Sequence, residues 1–485
     1  MTAESATPGI MEAIAAAAGI KGPGRDMDAL RKGLRALVRL AGIEALAECS
    51  PTLPDCLTAW VDGKLSDQLN EILHHPEFLA LEATWRGLRF LVDRIDFSQN
   101  VKLAFLSISK ADLLRDFQDV PEVVQSGFYK HIYTAEFGQF GGEPVGAILA
   151  DYTFGAGHED IQLLQYVSSV ASMAHAPFFA AAGKEFFGLD SWSRLPDIRD
   201  LKSLFDMRRY DRWNSFRDSE NARYIGLCLP GFLLRLPYTR RNSPSVAPFD
   251  FVEEHWDEDW YCWGNTALAM GVCLAGSFAL YRWCVNIVGI DGGGVVPDIP
   301  CDRYDAMGDV QRKIPTRVLI TEHQEFALAE LGFISLVPDR DSGKAVFLSA
   351  NSALRPRRIP ATQDGLATEL GYMLSCRFPY MMLMNRLAHY IKVLQRESVG
   401  SWRDRESVSR ELNRWLGRYV TEMDTPDAQT RSRRPLRMAR IEVKDVDANP
   451  GCYSITLLAR PHFTYMGVNF TLSLEGRLDR QPQVG

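Results

Sequence analysis

The stretch RMARIEVKDVDANPGCYSITLLARPHFTYMGVNFTLSLEG, Arg437 to Gly476, decides how this chain closes. Ala439, Ile441 and Val443 alternate with charged residues. After an NPG turn Tyr453, Ile455 and Leu457 alternate again, and Val468, Phe470, Leu472 and Leu474 repeat the period once more. A period of 2 belongs to half-buried strands. The spacing predicts three strands sharing one apolar face.

Upstream the period is helical. Tyr380, Leu383, Leu387, Ile391 and Leu394 share one face of FPYMMLMNRLAHYIKVLQRE, with Pro379 in the first turn, and Val408, Leu412, Trp415 and Tyr419 repeat that spacing in SVSRELNRWLGRYV. RVLITE (Arg317–Glu322) and GKAVFLSAN read as strands flanking a helix. Residues 311–485 are thus expected to be an α+β region ending in strands.

Residues 61–310 alternate helix and strand, the signature of an α/β layer arrangement. In HHPEFLALEATWRGLRFLVD, Phe78, Leu81, Trp85, Leu88 and Val92 recur at intervals of three and four, and Pro76 suits a first helical turn. That stretch is an amphipathic helix and not a histidine metal site. VKLAFLSIS (Val101–Ser109), the run Val145–Ala150 and ARYIGLCLPGFLLRLPY read as strands, and a helix starts near Asp160. TALAMGVCLAGSFALYRWCVNIVGI is almost long enough to span a bilayer, but Arg282 and Asn286 interrupt it. An arginine there costs roughly 2.5 to 3.5 kcal/mol, so a buried core helix followed by a strand is expected.

Residues 1–60 read as N-terminal helices and a linker. Ile10, Met11, Ile14 and Ile20 make a short apolar helix that GPG stops at Gly22–Gly24, and Met27, Leu30, Leu34, Leu37 and Leu40 lie at helical spacing in a second. Two readings stand: a mobile helix for a partner to grasp, or a helix pair covering the main body.

At 485 residues, 46% apolar and 24% charged, the chain is an ordinary globular protein of two to three domains. Its net charge of -7 gives no general attraction to nucleic acid or anionic membranes. Nine scattered cysteines with no C-x-x-C pair suggest neither a zinc knuckle nor a disulfide framework, and the N-terminus lacks the basic start of a secretory signal. A cytoplasmic protein without cofactors is expected.

Few residues suggest chemistry. GIDGGGVVPDIP lacks the G-K-[ST] ending of a phosphate loop and reads as a tight connection. His389 and His462 carry no catalytic signature around them. The acidic-aromatic run EEHWDEDWYCW reads as an exposed surface or a partner contact. Arg431, Arg433, Arg434 and Arg437, with RPRR at Arg355–Arg358, are candidate ionic contacts with another protein. The competing reading is a cytosolic ligand-binding enzyme that uses His389, or the Asp151-Tyr152 region, with a ligand at Gly292–Gly294. A chain without a recognisable site usually works by assembly, and its alternating terminal strands suit β-augmentation.

The segments HPEFLALEATWRGLRFLV, GGEPVGAILADYTF, HAPFFAAAGKEFFGLDSW, GIDGGGVVPDIP, RLAHYIKVLQRE, LNRWLGRYV, RRPLRMARIEV and NPGCYSITLLARPHF, in this order over about residues 60 to 478, resemble the large sheath subunit of the bacterial type VI secretion system, the TssC/VipB family. The resemblance implies a phage-tail-like contractile sheath and no enzymatic activity. Its expected partners are a small sheath subunit, other sheath protomers, a hexameric inner tube protein, a baseplate and an AAA+ recycling unfoldase. It implies that residues 61–310 are the outer domain, and that residues 311–485 are the inner one. The strands around Ile441, Val443, Ile455, Leu457, Val468, Phe470 and Leu472 would then join neighbouring protomers. The helix carrying Ile10, Met11, Ile14 and Ile20 would be the unfoldase-recognition element.

Overall fold

The computed structural model describes Lys32, Gly33, Ala36 and residues 53–485, except 138, 140, 240–248, 250, 255–256, 307–308, 340–342, 357–371, 398–404, 422, 424–426, 446–452, 463–471 and 479–485. For 53–57, 304–306, 309–311, 395, 397, 428, 445, 453 and 472–478 it describes the backbone alone. The proposed unfoldase helix at Ile10–Ile20, and Val468 and Phe470, lie outside the described residues. The chain divides into two compact units, Met1–Glu82 with Arg235–Tyr261, and Ala83–Leu234 with Cys262–Gly485.

In the first unit, helix α1 (Leu53–Leu73) runs through the expected boundary at residue 60, and helix α2 (Pro76–Asp93) begins there and continues into the second unit. Pro76 opens α2, as its missing N–H allows, and the His75 carbonyl accepts from the Leu79 amide at 2.9 Å. The interior of this unit is held by charge. The Arg235 guanidinium bonds Glu82 (Nε to Oε1 2.7 Å) and Glu253 (Nη1 to Oε2 2.6 Å, Nη2 to Oε1 3.0 Å), and the Tyr238 amide donates to Glu253 at 2.9 Å. His74 lies 3.3 Å from Glu253 and stacks on Trp260, ring centroids 4.4 Å apart. The acidic run expected on the surface therefore sends Glu253 inward, because Arg235 supplies the charge that makes burial tolerable.

The second unit is built on a six-stranded sheet. Its order is β1 (Ile148–Phe154), β2 (Phe178–Ala182), β3 (Ile225–Leu229), β9 (Phe333–Pro338), β10 (Ala345–Phe347) and β6 (Val295–Val296). The first four pair in parallel, and β10 pairs antiparallel with both of its neighbours, β9 and β6. Parallel strands covered on both faces read as continuous apolar runs. Every residue of β3 is buried accordingly.

Alternate residues feed two cores. Phe178, Ala180, Ile225, Leu227 and Leu229 meet Leu164, Val167 and Val170 of a helix at His158–Ala174 (α4), which follows α3 (Lys110–Gln118). Phe179, Cys228, Ile334 and Leu336 face the other core, with α5 (Thr266–Tyr281). Helix α5 is the buried helix expected from its apolar run, and no helix among the described residues is long and apolar enough to cross a membrane. Gly271 lets it approach β1, since a Cβ there would fall 2.3 Å from a Leu149 methyl. No strand follows it: 285–290 has no strand pairing. Two small antiparallel pairs, β4 (Phe232–Leu233) with β5 (Trp263–Gly264) and β7 (Arg303–Ala306) with β8 (Asp309–Arg312), complete this part.

Two strand expectations fail here for physical reasons. Val101–Ser109 forms no strand; the Tyr152 hydroxyl donates to the Ile108 carbonyl at 2.7 Å, and Ser109 instead caps α3 through the Asp112 amide. RVLITE forms no strand, because Thr321 and Gln324 make a reciprocal capping box that starts α6 (Glu322–Glu330). Strands β9 and β10, from beyond residue 310, pair beside β3 and β6 in the same sheet.

Helix α2 also turns the face that its spacing did not favour. Gly87, Phe90 and Leu91 are buried, whereas Phe78, Leu81, Trp85 and Val92 are exposed, Trp85 by 66%. A Cβ on Gly87 would lie 2.7 Å from a Leu268 methyl, so the close approach that glycine permits selects the buried face.

Candidate assembly surface

Beyond the large sheet, α7 (Phe378–Glu397) and α8 (Arg405–Leu416) lead through a short helix, α9 (Ala428–Arg433), into the terminal sheet. Its strands β11 (Leu436–Asp445), β12 (Tyr453–Pro461) and β13 (Leu472–Leu478) are antiparallel in that order. Three strands form as expected, the third described from Leu472. Ile441 stands opposite Leu457, which stands opposite Leu474, while Val443 pairs with Ile455 and Ala439 with Ala459. Ile441, Ile455, Leu457 and Ala459 are buried, and Val443 packs beside them.

Their partners come from the helices whose spacing had grouped them. Leu383, Leu387 and Ile391 of α7, Leu412 and Leu416 of α8, and Trp283 and Val285 join the same core. An edge-to-face pair of Trp283 and Tyr419, centroids 5.1 Å apart, closes one side. The Trp283 indole N–H donates to the Arg433 carbonyl at 3.2 Å.

Asn413 is a residue that periodicity did not flag. From the middle of α8 its Nδ2 donates to the Ile441 carbonyl at 2.8 Å and to the Ser409 carbonyl at 2.8 Å, while its Oδ1 accepts from the Ile441 amide at 2.9 Å. Asparagine is a poor choice for a helix interior. Its presence inside an apolar-spaced helix was the available signal.

The arginine cluster is partly assembled. Arg433 and Arg434 are exposed; Arg431 and Arg437 are half-buried. Arg437 and Arg431 sit close enough to His462 for their charges to help depress its pKa, behind burial as the main cause. His462 donates through Nε2 to the Thr421 carbonyl at 2.9 Å, so it ties the strand end to the segment after α8. Arg355 belongs elsewhere, 3.5 Å from Asp218.

The residues of the enzyme reading serve as packing. His389 is 2% exposed, donates Nε2–H to the Ala174 carbonyl at 2.9 Å, and is pushed by burial down to about 4. Gly289 and Gly294 bond each other and Phe347: Gly289 amide to Phe347 carbonyl 2.8 Å, Phe347 amide to Gly294 carbonyl 2.9 Å, Gly294 amide to Gly289 carbonyl 2.9 Å. A Cβ on Gly292 would lie 2.2 Å from the Val288 carbonyl, and one on Gly294 2.5 Å from the Phe347 carbonyl. The loop is a tight backbone connection that gives β6 its place beside β10. Asp151 accepts from the Thr84 hydroxyl at 2.5 Å, and burial pushes Tyr152 up to about 12. No group of metal-ligating side chains occurs among the described residues.

Comparison with known proteins places this architecture. Residues 55–354 match the VipB family's EvpB-type tail sheath N-terminal domain, and residues 367–478 match its tail sheath gpW/gp25-like domain. The chain is 35% identical over 460 residues to the type VI secretion system sheath protein TssC1 of Pseudomonas aeruginosa, covering 92% of this chain and 91% of that protein. A crystal structure of a sheath tail protein from Desulfitobacterium hafniense is far less similar, with 9% identity, 65% of this chain and 60% of that chain covered, and a TM-score of 0.28. With both sheath domains matched in order and one sheath protein aligned along nearly the whole chain, the protein belongs to the VipB/EvpB family of type VI secretion system sheath proteins.

Proposed function

We propose that this chain is the large subunit of a contractile sheath, co-polymerising with a small sheath subunit around an inner tube of hexameric rings on a baseplate. Contraction propels the tube for effector delivery, and an AAA+ unfoldase then recycles the sheath in the cytoplasm. The observation that carries this reading is the 35% identity to a type VI sheath protein along 92% of the chain. Residues 61–310 would be the outer domain and 311–485 the inner one, with residues 1–60 carrying the unfoldase-recognition helix at Ile10, Met11, Ile14 and Ile20.

In this reading the terminal strands hold the lattice together. Main-chain hydrogen bonds to strands of neighbouring subunits persist while broader surfaces exchange one packing for another during contraction. Arg431, Arg433, Arg434 and Arg437 would form ionic contacts with a neighbouring subunit or the tube. Neither nucleic acid nor a membrane is a partner.

Co-expression with the small subunit and negative-stain microscopy test the assignment. Tubules are expected, and a discrete soluble oligomer under every assembly condition would overturn it. Deleting residues 1–24 should leave sheaths intact while blocking their disassembly by the unfoldase. Phe470→Pro, which removes a backbone donor and an apolar side chain, should abolish tubules.

A further inference from the structure

Helix α1 is lightly packed over most of its length. Among the described side chains Asn70 is the first that is buried; those from Thr58 to Leu69 are exposed or half-buried, Leu65 by 44%. A helix held this lightly takes little stability from tertiary contacts.

From Asn70 onward the hold is polar and dense. The Asn70 Oδ1 accepts from the Glu254 amide at 3.2 Å. His74, just past the end of α1, lies 3.3 Å from Glu253 and stacks on Trp260 with the rings 11° from parallel. Glu82 of α2 takes two prongs of Arg235 at 2.7 and 3.1 Å. The segment Arg235–Tyr261 therefore grips the last turn of α1, the bend after it and the second turn of α2. The root of that segment is itself closed, β4 against β5, with the Leu234 amide donating to the Cys262 carbonyl at 3.0 Å.

We propose that this polar hub is the gate for extraction of the chain from its N-terminus: α1 unwinds freely under a pull, and the unfoldase must then break the cluster of Arg235, Glu253 and Glu82 before it can draw on α2. This rests on N-terminal engagement by the unfoldase. Polar contacts suit a gate. An extension of about 1 Å carries such hydrogen bonds past bonding distance, so they yield abruptly. Until then the guanidinium and its two carboxylates resist separation, because burial leaves each little solvent to replace its partner. The apolar contacts that follow, at Phe90 and Leu91, are non-directional and give way more gradually.

Degradation of the full chain, co-expressed with the small subunit, by an ATP-driven AAA+ protease that pulls on a terminal degradation tag isolates the mechanical step, because that enzyme needs no recognition helix. Glu82→Gln keeps the shape of the side chain and the pair of Arg235 with Glu253 while removing one charge. With the tag at the N-terminus it should raise the degradation rate several-fold. With the tag at the C-terminus its rate should match that of the parent chain. Equal rates from the N-terminal tag would overturn the gate, and a rise from both ends would mean general destabilisation and overturn it as well. Leu65→Ala, in the lightly packed part of α1, should change neither rate; an acceleration as large as that of Glu82→Gln would take the barrier out of the hub. In assembled sheaths Glu82→Gln should also speed disassembly by the native unfoldase several-fold. Disassembly unchanged while tagged degradation accelerates would overturn N-terminal engagement by the unfoldase and leave the mechanical gate standing.

Discussion

Arg235 and Glu253 meet as a two-pronged buried pair, Nη1 to Oε2 at 2.6 Å and Nη2 to Oε1 at 3.0 Å, with side chains 7% and 2% exposed. Glu82 takes the remaining prong at 2.7 Å. Burial alone would lower the guanidinium's pKa, but the hydrogen bonds and charges of Glu253 and Glu82 outweigh it and the net shift is upward. Arg235→Ala would leave two carboxylates without their counter-charge, and breaking a buried pair this way costs about 3 to 5 kcal/mol. Thermal unfolding of the purified chain should show that loss, with Arg235→Lys recovering only part because it cannot bond both carboxylates side-on. A melting temperature unchanged in Arg235→Ala would refute the role of the cluster.

Buried histidines make the fold acid-sensitive. Burial, with smaller contributions from Lys392 and neighbouring charges, lowers His175 to about 3 and His389 to about 4, below their ordinary 6.5. A depressed histidine is neutral when folded but takes a proton when unfolded. Its contribution is therefore fully present above pH 6.5 and declines as pH falls through the folded values. For His389 alone the loss by pH 5 is on the order of 2 kcal/mol. Melting temperatures from pH 7.5 to 5 should fall, and His389→Gln should flatten part of that slope.

The glycine connection is a packing device, so its side-chain-free positions should be intolerant. In Gly294→Ala the new Cβ would meet the Phe347 carbonyl, the Gly289 amide nitrogen and the Val288 Cα at 2.5 to 2.7 Å, all of them backbone. Such overpacking costs about 1 to 3 kcal/mol. Denaturant unfolding should register it; full stability would argue that the connection has room to spare.

The two faces of α2 should respond oppositely. Phe90 is 7% exposed and packs 4.8 Å from the Phe232 ring, so Phe90→Ala should cost about 3 to 5 kcal/mol. Trp85→Gln, at 66% exposure, should shift the stability of the isolated chain by no more than about 0.5 kcal/mol. Equal effects from the two would contradict the buried face.

The contrast along α2 also shows what a sequence conceals. Phe78, Leu81, Trp85 and Val92 have the spacing of a buried stripe, yet Gly87 decides the packing, because a residue without a side chain admits Leu268 and carries no weight in an apolar pattern. Thr321 and Gln324 did carry a readable capping signal, and the β-branched residues of RVLITE obscured it. The helices α5, α7 and α8 followed their spacing closely.

Local periodicity by itself determined the helices α5, α7 and α8, the helical start at Pro76 and the three closing strands, because each depends on residues a few positions apart. The ordered run of family-like segments pointed to the sheath. Only the tertiary structure decided that Glu253 is buried, that β9 and β10 complete the large sheet, and that Asn413 covers the edge of β11. These depend on a charge 18 positions away in Arg235, on strands recruited across more than a hundred residues, and on an amide reaching 28 positions along the chain. Such contacts are set by where the folded backbone brings polar groups that must be satisfied, and no local pattern encodes that.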